Sequence, residues 1–220
     1  MYVPPAFSEN RIEVLHKMMS EIGAAVVVGR DQNGLVGTHV PIELDPQPEP
    51  FGTIRCHFAR ANPHAAAVSG NELLVIFQGP QGYVTPSWYP SKHETGRAVP
   101  TWNYVAVHAY GTATTFEDAG LLHAHLSVLT NRRESNYQVP WKIEDAPSGY
   151  IEGMCRAIVG IEIKLTRIEG KWKLSQNKPE HDRIGVINGL RSQGDEASIR
   201  MAGLMLNMAD LVAFAHPRKT

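Results

Sequence analysis

The sequence has few cysteines and no excess of either charge. Its 220 residues include two cysteines, Cys56 and Cys155, which lie too far apart to form a CxxC motif. Sparse and widely spaced thiols are typical of a reduced interior, so we expect a cytoplasmic protein with inert thiols. The net charge of −1 at pH 7 also counts against strong nonspecific affinity for nucleic acid, which normally needs a clustered positive face.

Long apolar runs and a signal sequence are missing as well. No run approaches the roughly 18–20 apolar residues that a transmembrane helix needs, so we expect no membrane contact. The first residues, MYVPPAFSEN, contain neither the basic region nor the apolar region of a signal peptide.

The motifs of several enzyme classes are absent. The sequence has no GxGxxG after a strand, no Walker loop and no GxSxG elbow. His123 and His125 stand two apart on a predicted helix and so face different directions, and no HExxH motif accompanies them. We therefore predict no metal site. A Ser/His/Asp triad stays open, but nothing indicates its members, and catalytic residues remain unassigned.

What the sequence does contain is a series of short β-branched and aromatic runs. Six or more predicted strands are punctuated by hairpin turn signals, at Asn33-Gly34 and at Glu169-Gly170. Few helices are predicted between these strands. The pattern therefore favours a mainly β fold, a barrel with flanking helices, over a doubly wound sheet.

Helices are predicted near both ends of the chain and after the longest strand run. The first extends from Ser8, a candidate N-cap, to Gly23, which suits a left-handed C-terminal residue. Further helices are predicted over residues 117–135, 179–193 and 195–209. We expect a single domain over residues 1–220, in which residues 179–220 form a helical C-terminal appendage.

The stretch from Gln78 to Gly111 is rich in aromatic side chains and includes two apolar, strand-like ends. A loop of large flat side chains is costly to fold unless it covers something, so we interpret it as the wall of a site for a flat ligand. Lys92 or Arg97 could then meet an anionic group of that ligand. The alternative is an aromatic core or a dimer interface, which the same residue types form. The aromatic candidates are Tyr83, Trp88, Tyr89, Trp102 and Tyr104.

The segment HFARANP, residues 57–63, ends a predicted strand and opens a predicted helix. Free backbone N–H groups at a helix start favour anions. His57, Arg60 and the Asn62 side chain could add hydrogen-bond donors to a phosphate. The alternative is an N-capped helix with Pro63 at its first position and a surface arginine.

Two further segments place polar side chains in or beside strands. In GTHVPIEL, Thr38 and His39 could present hydrogen-bonding groups to a polar ring edge. The alternative there is a half-buried strand with His39 on its wet face. In GKWKLSQNK, Lys173, Gln176 and Asn177 form a polar cluster just after a strand, and the alternative is a hairpin end that caps the last helices.

The ordered set of these blocks resembles a known family. The chain is similar to the PaiB-like proteins, FMN-binding negative transcriptional regulators, in the blocks MYVPPAF, THVP, HFARANP, YVTPSWYPSK, VPTWNYVAVHAYG, VPWKIEDAP and GKWKLSQNK followed by GVINGL. The resemblance extends from Met1 to about Leu190. Each block alone is weak evidence, whereas the set in this order is specific.

The resemblance implies a fold, a cofactor and an assembly. The fold would be the FMN-binding split β-barrel of pyridoxamine-phosphate-oxidase-like proteins, with C-terminal helices, in a homodimer that binds FMN at the subunit interface. In this assignment His57, Arg60 and Asn62 hold the phosphate, while Thr38 and His39 line the isoalloxazine edge. The remaining candidates, which would complete the ring side or reach it from the partner subunit, are Ser87, Trp88, Tyr89, Lys92, Trp102, Asn103, Tyr104, Lys173 and Gln176.

Two functions follow from the resemblance. The first is a negative transcriptional regulator, a dimeric flavoprotein whose ligand or redox state alters gene expression. DNA is then a partner by resemblance alone, without support from the charge pattern. The second is an FMN-dependent oxidoreductase that takes electrons from a reduced nicotinamide or a related donor without binding DNA. A simple flavin-binding or haem-related module without turnover is a third alternative.

Overall fold

The computed structural model describes residues 1–215, with side chains described through residue 207. The strands are β1 (Ser8–Glu9), β2 (Ala24–Asp31), β3 (Gly34–Pro41), β4 (Glu43–Asp45), β5 (Thr53–Ala59), β6 (Glu72–Val84), β7 (Thr101–Phe116) and β8 (Ile158–Lys173). The helices are α1 (Ile12–Ile22), α2 (Pro63–Ala67), α3 (Ser91–Thr95), α4 (Ala119–Glu134), α5 (Tyr150–Cys155), α6 (Glu180–Gln193) and α7 (Glu196–Ala215). In this part of the chain no helix is long and apolar enough to cross a membrane.

The strands form one sheet in the order β3-β2-β6-β7-β8-β5-β4, and β1 pairs with β8 outside this path. β2 pairs antiparallel with β3 and β6, and β5 pairs antiparallel with β4 and β8. β3 also lies close to β5. This mainly antiparallel sheet with flanking helices confirms the predicted mainly β fold class.

The chain divides into two compact units, each with its own apolar core. The first unit comprises residues 10–77 and 107–169, and the second comprises residues 1–9, 78–106 and 170 onward. Large buried side chains of the first unit are Ile54, Phe58, Phe77, Leu122, Ile161 and Ile163. Those of the second unit are Tyr89, Trp172, Leu174, Leu190, Met201 and Met205. The single domain with an appendage at 179–220 stays a prediction, and residues 216–220 of that appendage lie outside the described residues.

The first helix begins later than predicted. α1 follows the N-cap Arg11, whereas Ser8 pairs with Lys171 of β8. The predicted N-cap at Ser8 is therefore wrong, because strand pairing extends the backbone there. At the other end, Gly23 has a φ of 67° and closes the last helical turn, which confirms the predicted left-handed residue.

The predicted hairpin at Glu169-Gly170 does not form. β8 continues through both residues, and Gly170 pairs with Glu9 of β1. Gly170 is absent from the described glycines with positive φ, so it lacks the backbone conformation that such a turn needs. The other predicted hairpin is confirmed, since β2 ends at Asp31 and pairs there with Gly34, the first residue of β3, which has a φ of 118°.

The aromatic stretch from Gln78 to Gly111 is a shorter loop than predicted. Its first residues complete β6 and its last residues belong to β7, so the connection itself is residues 85–100. This connection contains a 3₁₀ turn, Pro86–Trp88, and the helix α3. The aromatic side chains of the stretch are therefore divided between strand positions and a folded connection.

The 3₁₀ turn packs against two glycines of α6, which gives a stability prediction. An added Cβ at Gly185 would lie 2.0 Å from the Trp88 carbonyl oxygen, whereas a Cβ at Gly203 in α7 would meet no atom within 4 Å. We expect Gly185→Ala to lower the free energy of unfolding by roughly 1–3 kcal/mol, because the backbones must separate. The matched Gly203→Ala should raise it by up to about 1 kcal/mol through helix propensity. Urea denaturation measures both changes, and equal effects would contradict the packing described here.

Candidate functional site

Thr38, Asn62 and His64 form a hydrogen-bonded cluster in the first unit. The Asn62 side chain caps α2, since its Oδ1 accepts from the His64 backbone N–H at 3.0 Å. Its Nδ2 donates to Thr38 Oγ1 at 3.1 Å, and the same hydroxyl lies 2.8 Å from His64 Nδ1. The fold therefore brings Thr38 and Asn62 together as predicted candidates, but most of their polar atoms bond to each other or to His64.

His39 does not join this cluster. It is exposed and follows Thr38 directly in β3, so the two side chains point to opposite faces of the strand. Its assignment to a ring edge stays a prediction.

Arg60 is fixed by three hydrogen bonds in the first unit. Its Nε donates to the Arg156 carbonyl at 2.9 Å, and its Nη2 donates to the Ile158 carbonyl at 3.0 Å. Nη1 forms an ion pair with Glu117 at 2.7 Å. Each Nη atom keeps one further N–H, so the guanidinium is held rigidly with two donors to spare. Glu117 already compensates its charge, and the phosphate role of Arg60 stays a prediction.

His57 bonds to His125 in a chain that ends at Glu43, which we call the histidine relay. His57 Nδ1 lies 3.1 Å from His125 Nε2, and His125 Nδ1 lies 3.0 Å from Glu43 Oε2. Because a carboxylate only accepts, His125 donates from Nδ1, and its neutral tautomer then accepts from His57 at Nε2. Burial, and then the neighbouring His125, lower the pKa of His57 and favour its neutral form. The relay thus joins two imidazole rings and one carboxylate by hydrogen bonds.

The predicted wall residues of the second unit lie beside α6. The Trp88 indole covers Gly189, where an added Cβ would come within 2.1 Å of ring atom Cδ2. Tyr89 is buried, and its hydroxyl has no hydrogen-bond partner among the described residues. Ser87 and Lys92 are exposed. Trp88 and Tyr89 therefore pack in the second unit, while Ser87 and Lys92 remain accessible to a ligand.

Two aromatic side chains on strands of the second unit are exposed to solvent. Trp102 of β7 is 52% exposed and Tyr83 of β6 is 49% exposed, and their rings meet edge to face with centroids 5.8 Å apart. Tyr104 lies two residues further along β7, on the same face as Trp102. Large exposed rings of this kind are available to stack on a flat ligand.

Two lysines of β8 accompany these rings. Lys171 Nζ lies 5.2 Å from the centroid of the Tyr104 ring, and Lys173 Nζ donates to Thr101 Oγ1 at 2.6 Å and to the Trp102 carbonyl. Neither lysine forms a salt bridge with a residue that the structure describes. Burial, and then Lys171 and Lys178, lower the pKa of Lys173. We call Tyr83, Trp102, Tyr104, Lys171 and Lys173 the lysine–aromatic face.

Asn103 and Gln176 stabilise the turn that follows this face. Asn103 is fully buried, and its Oδ1 accepts from Ser175 Oγ at 3.0 Å. Gln176 Oε1 accepts from the Leu174 backbone N–H at 2.7 Å, and Ser175 between them has a φ of 62°. Both predicted candidates thus lie close to Lys173, but their side chains bond to the protein.

Sequence reasoning missed the partner of His57 and one of the lysines. The sequence shows His125 only as one of two histidines on a helix, whereas the structure buries it to 3% exposure beside His57. A single lysine such as Lys171 lies in no sequence pattern that would predict contact with a ligand. Among the described residues, no group of three or more histidine, cysteine, aspartate or glutamate side chains is placed to hold a metal ion.

Solved structures of low sequence identity share this fold. The flavocytochrome Anf3 from Azotobacter vinelandii aligns with a TM-score of 0.59 at 11% identity, over 76% of this chain and 69% of that one. The FAD and heme binding protein from Mycobacterium smegmatis aligns with a TM-score of 0.56 at 15% identity, over 76% of this chain and 73% of that one. These alignments, with the eight-stranded sheet, confirm the predicted split-barrel fold.

Similarity at the sequence level is more extensive. Residues 1–167 match the family model described as "Putative FMN-binding domain". The chain is 32% identical to the protease synthase and sporulation protein PAI 2 of Bacillus subtilis, over 93% of this chain and 96% of that protein. It is also 32% identical to protein AN0679 of Emericella nidulans, over 96% of this chain and 98% of that protein. These matches confirm the predicted resemblance and FMN as the cofactor, and the chain belongs to the family of FMN-binding, PaiB-like proteins.

Proposed function

We propose that the lysine–aromatic face holds FMN, with Lys171 and Lys173 on the phosphate and the rings of Trp102 and Tyr104 against the flavin. The observation that supports this is that both lysines form no salt bridge with the described residues and lie beside aromatic side chains, of which Trp102 and Tyr83 are exposed. A phosphate needs cations whose charge is not already neutralised, and a flavin needs flat apolar faces. The residues of this face therefore fit the cofactor of the family.

Arg60 offers the competing position for the phosphate. Its guanidinium is preorganised, but a phosphate there would share the charge that Glu117 already compensates. Lys173 has no such carboxylate partner among the described residues, and its pKa is lowered first by burial and then by the positive neighbours Lys171 and Lys178. The electrostatics thus favour Lys173, and an anion beside it would also relieve repulsion among the lysines.

Bound FMN would supply a ring that accepts and returns electrons. The protein's own residues would bind and orient it. Trp102 and Tyr83 would shield one side of the ring from water, and Asn103 with Ser175 would keep the turn beside Lys173 rigid. A second copy of the chain could cover the exposed aromatic side chains, and the homodimer is part of the proposal for that reason.

We also propose a regulatory role, in which the FMN-bound protein lowers transcription of its target genes. The support is membership of the PaiB-like family and the 32% identity to protein PAI 2 over nearly the whole of both chains. The net charge of −1 provides no general basic surface, so a DNA contact would depend on a local cluster of positive side chains outside the proposed FMN contact.

The phosphate assignment is tested by Lys173→Gln beside Arg60→Gln. We expect Lys173→Gln to weaken FMN binding by about 10- to 100-fold, since a charge-assisted contact contributes roughly 1.5–3 kcal/mol. Riboflavin, which lacks the phosphate, should bind both forms equally. Quenching of flavin fluorescence measures each affinity, and Lys17→Gln on the exposed face of α1 is the control. If Arg60→Gln carries the loss and Lys173→Gln does not, the phosphate lies at Arg60.

The regulatory role is tested by the mobility of promoter DNA. FMN-loaded protein should shift DNA fragments from upstream of its target genes, and the shift should weaken steeply with added salt because phosphate contacts release counterions. Absence of any shift, together with reduction of bound FMN by NADH or NADPH without oxygen, would replace direct repression with the oxidoreductase function.

A further inference from the structure

A cavity of about 350 Å³ lies in the first unit between α4 and the strands β4, β5, β7 and β8. It is separate from the lysine–aromatic face in composition, since none of its lining residues belongs to that face. Its volume would accommodate a small organic molecule of the size of a substituted aromatic ring. The lining residues are Glu43, Arg55, Thr114, Phe116, Leu121, Ala124, His125, Val128 and Glu162.

The polar side of the cavity carries more negative than positive charge. Glu43 and Glu162 are directly opposite Arg55 on the two strands that flank β5. Arg55 Nε donates to Glu162 at 2.8 Å, and Arg55 Nη1 lies 3.5 Å from Asp45. Glu43 also acts on Arg55 electrostatically, so one guanidinium faces three carboxylates. This excess repels an anion and attracts a cation, the more strongly because the site is partly enclosed.

Glu43 is the carboxylate best placed to receive that cation. Its Oε2 accepts from His125, and its Oε1 has no hydrogen-bond partner among the residues that the structure describes. The side chain is 12% exposed, and the buried His125 fixes its orientation. His57 in turn holds His125 from the other side. The histidine relay thus positions Glu43 without occupying its second oxygen.

The opposite side of the cavity is apolar and open at its edge. The Phe116 ring lies against Gly160, where an added Cβ would come within 2.3 Å of the ring. Leu121 and Val128 are one heptad apart on α4 and are 57% and 49% exposed. Burying these side chains against the apolar part of a ligand would lower the free energy of the complex.

We propose that this cavity binds a small organic cation, an amine that carries an apolar body. The ammonium group bonds to Glu43 within the field of Glu162, and the apolar body lies on Phe116, Leu121 and Val128. The histidine relay holds Glu43 in place as a positioning element. This site lies in residues that the proposed FMN contact does not use, so ligand binding here and FMN binding are independent measurements.

The test is isothermal titration calorimetry on the FMN-saturated protein at about pH 8, where unperturbed histidines are neutral. The probes are phenethylamine, phenylethanol and phenylpropionate, which share the ring and differ in charge. We expect phenethylamine to bind, phenylethanol to bind at least about tenfold more weakly, and phenylpropionate to show no heat of binding.

Two variants separate the charge from the apolar wall. Glu43→Gln keeps a hydrogen-bond acceptor for His125 and should weaken phenethylamine binding about tenfold, with Glu13→Gln on α1 as the matched control. Val128→Trp should fill the edge of the cavity and abolish binding, with the exposed Val99→Trp as its control. Equal binding of amine and acid, no binding of the amine at millimolar concentration, or an unchanged affinity in Glu43→Gln would each overturn the proposal.

Discussion

The antiparallel pairing of β5 with β8 is the constraint on which the first unit depends. Its register places Arg55 opposite Glu162 and His57 opposite Gly160. Because Gly160 has no side chain, the Phe116 ring lies against the strand at that point. A slip of one residue would turn Arg55 and His57 to the other face and would remove both the ion pair and the relay.

In the second unit a buried polar bond adds to the apolar core. Asn103 is fully enclosed, and its bond to Ser175 fixes the turn directly after β8. A buried amide without a partner would be costly, so this turn has little freedom. Lys173 is therefore presented from a rigid strand end, which is the condition for a strong and specific contact with a phosphate.

The two proposed sites have opposite electrostatics, and each follows from what its neighbours leave unpaired. Lys171 and Lys173 form no salt bridge with the residues that the structure describes and suit an anion, whereas Arg55 is shared among several carboxylates and leaves Glu43 for a cation. The net charge of the whole chain is close to zero, so it does not indicate which ligand either site would bind. In each proposed site it is the local balance of charge that indicates the class of ligand.

The sequence by itself determined the family, the cofactor, the mainly β class and those features that a few adjacent residues control. Asn62 caps a helix opened by Pro63, and Gly23 ends one, because capping depends on local backbone geometry. Only the tertiary structure decided that Gly170 continues a strand and that His57 meets His125. Strand pairing and packing between distant segments set those contacts, and neither leaves a periodic signal in the chain.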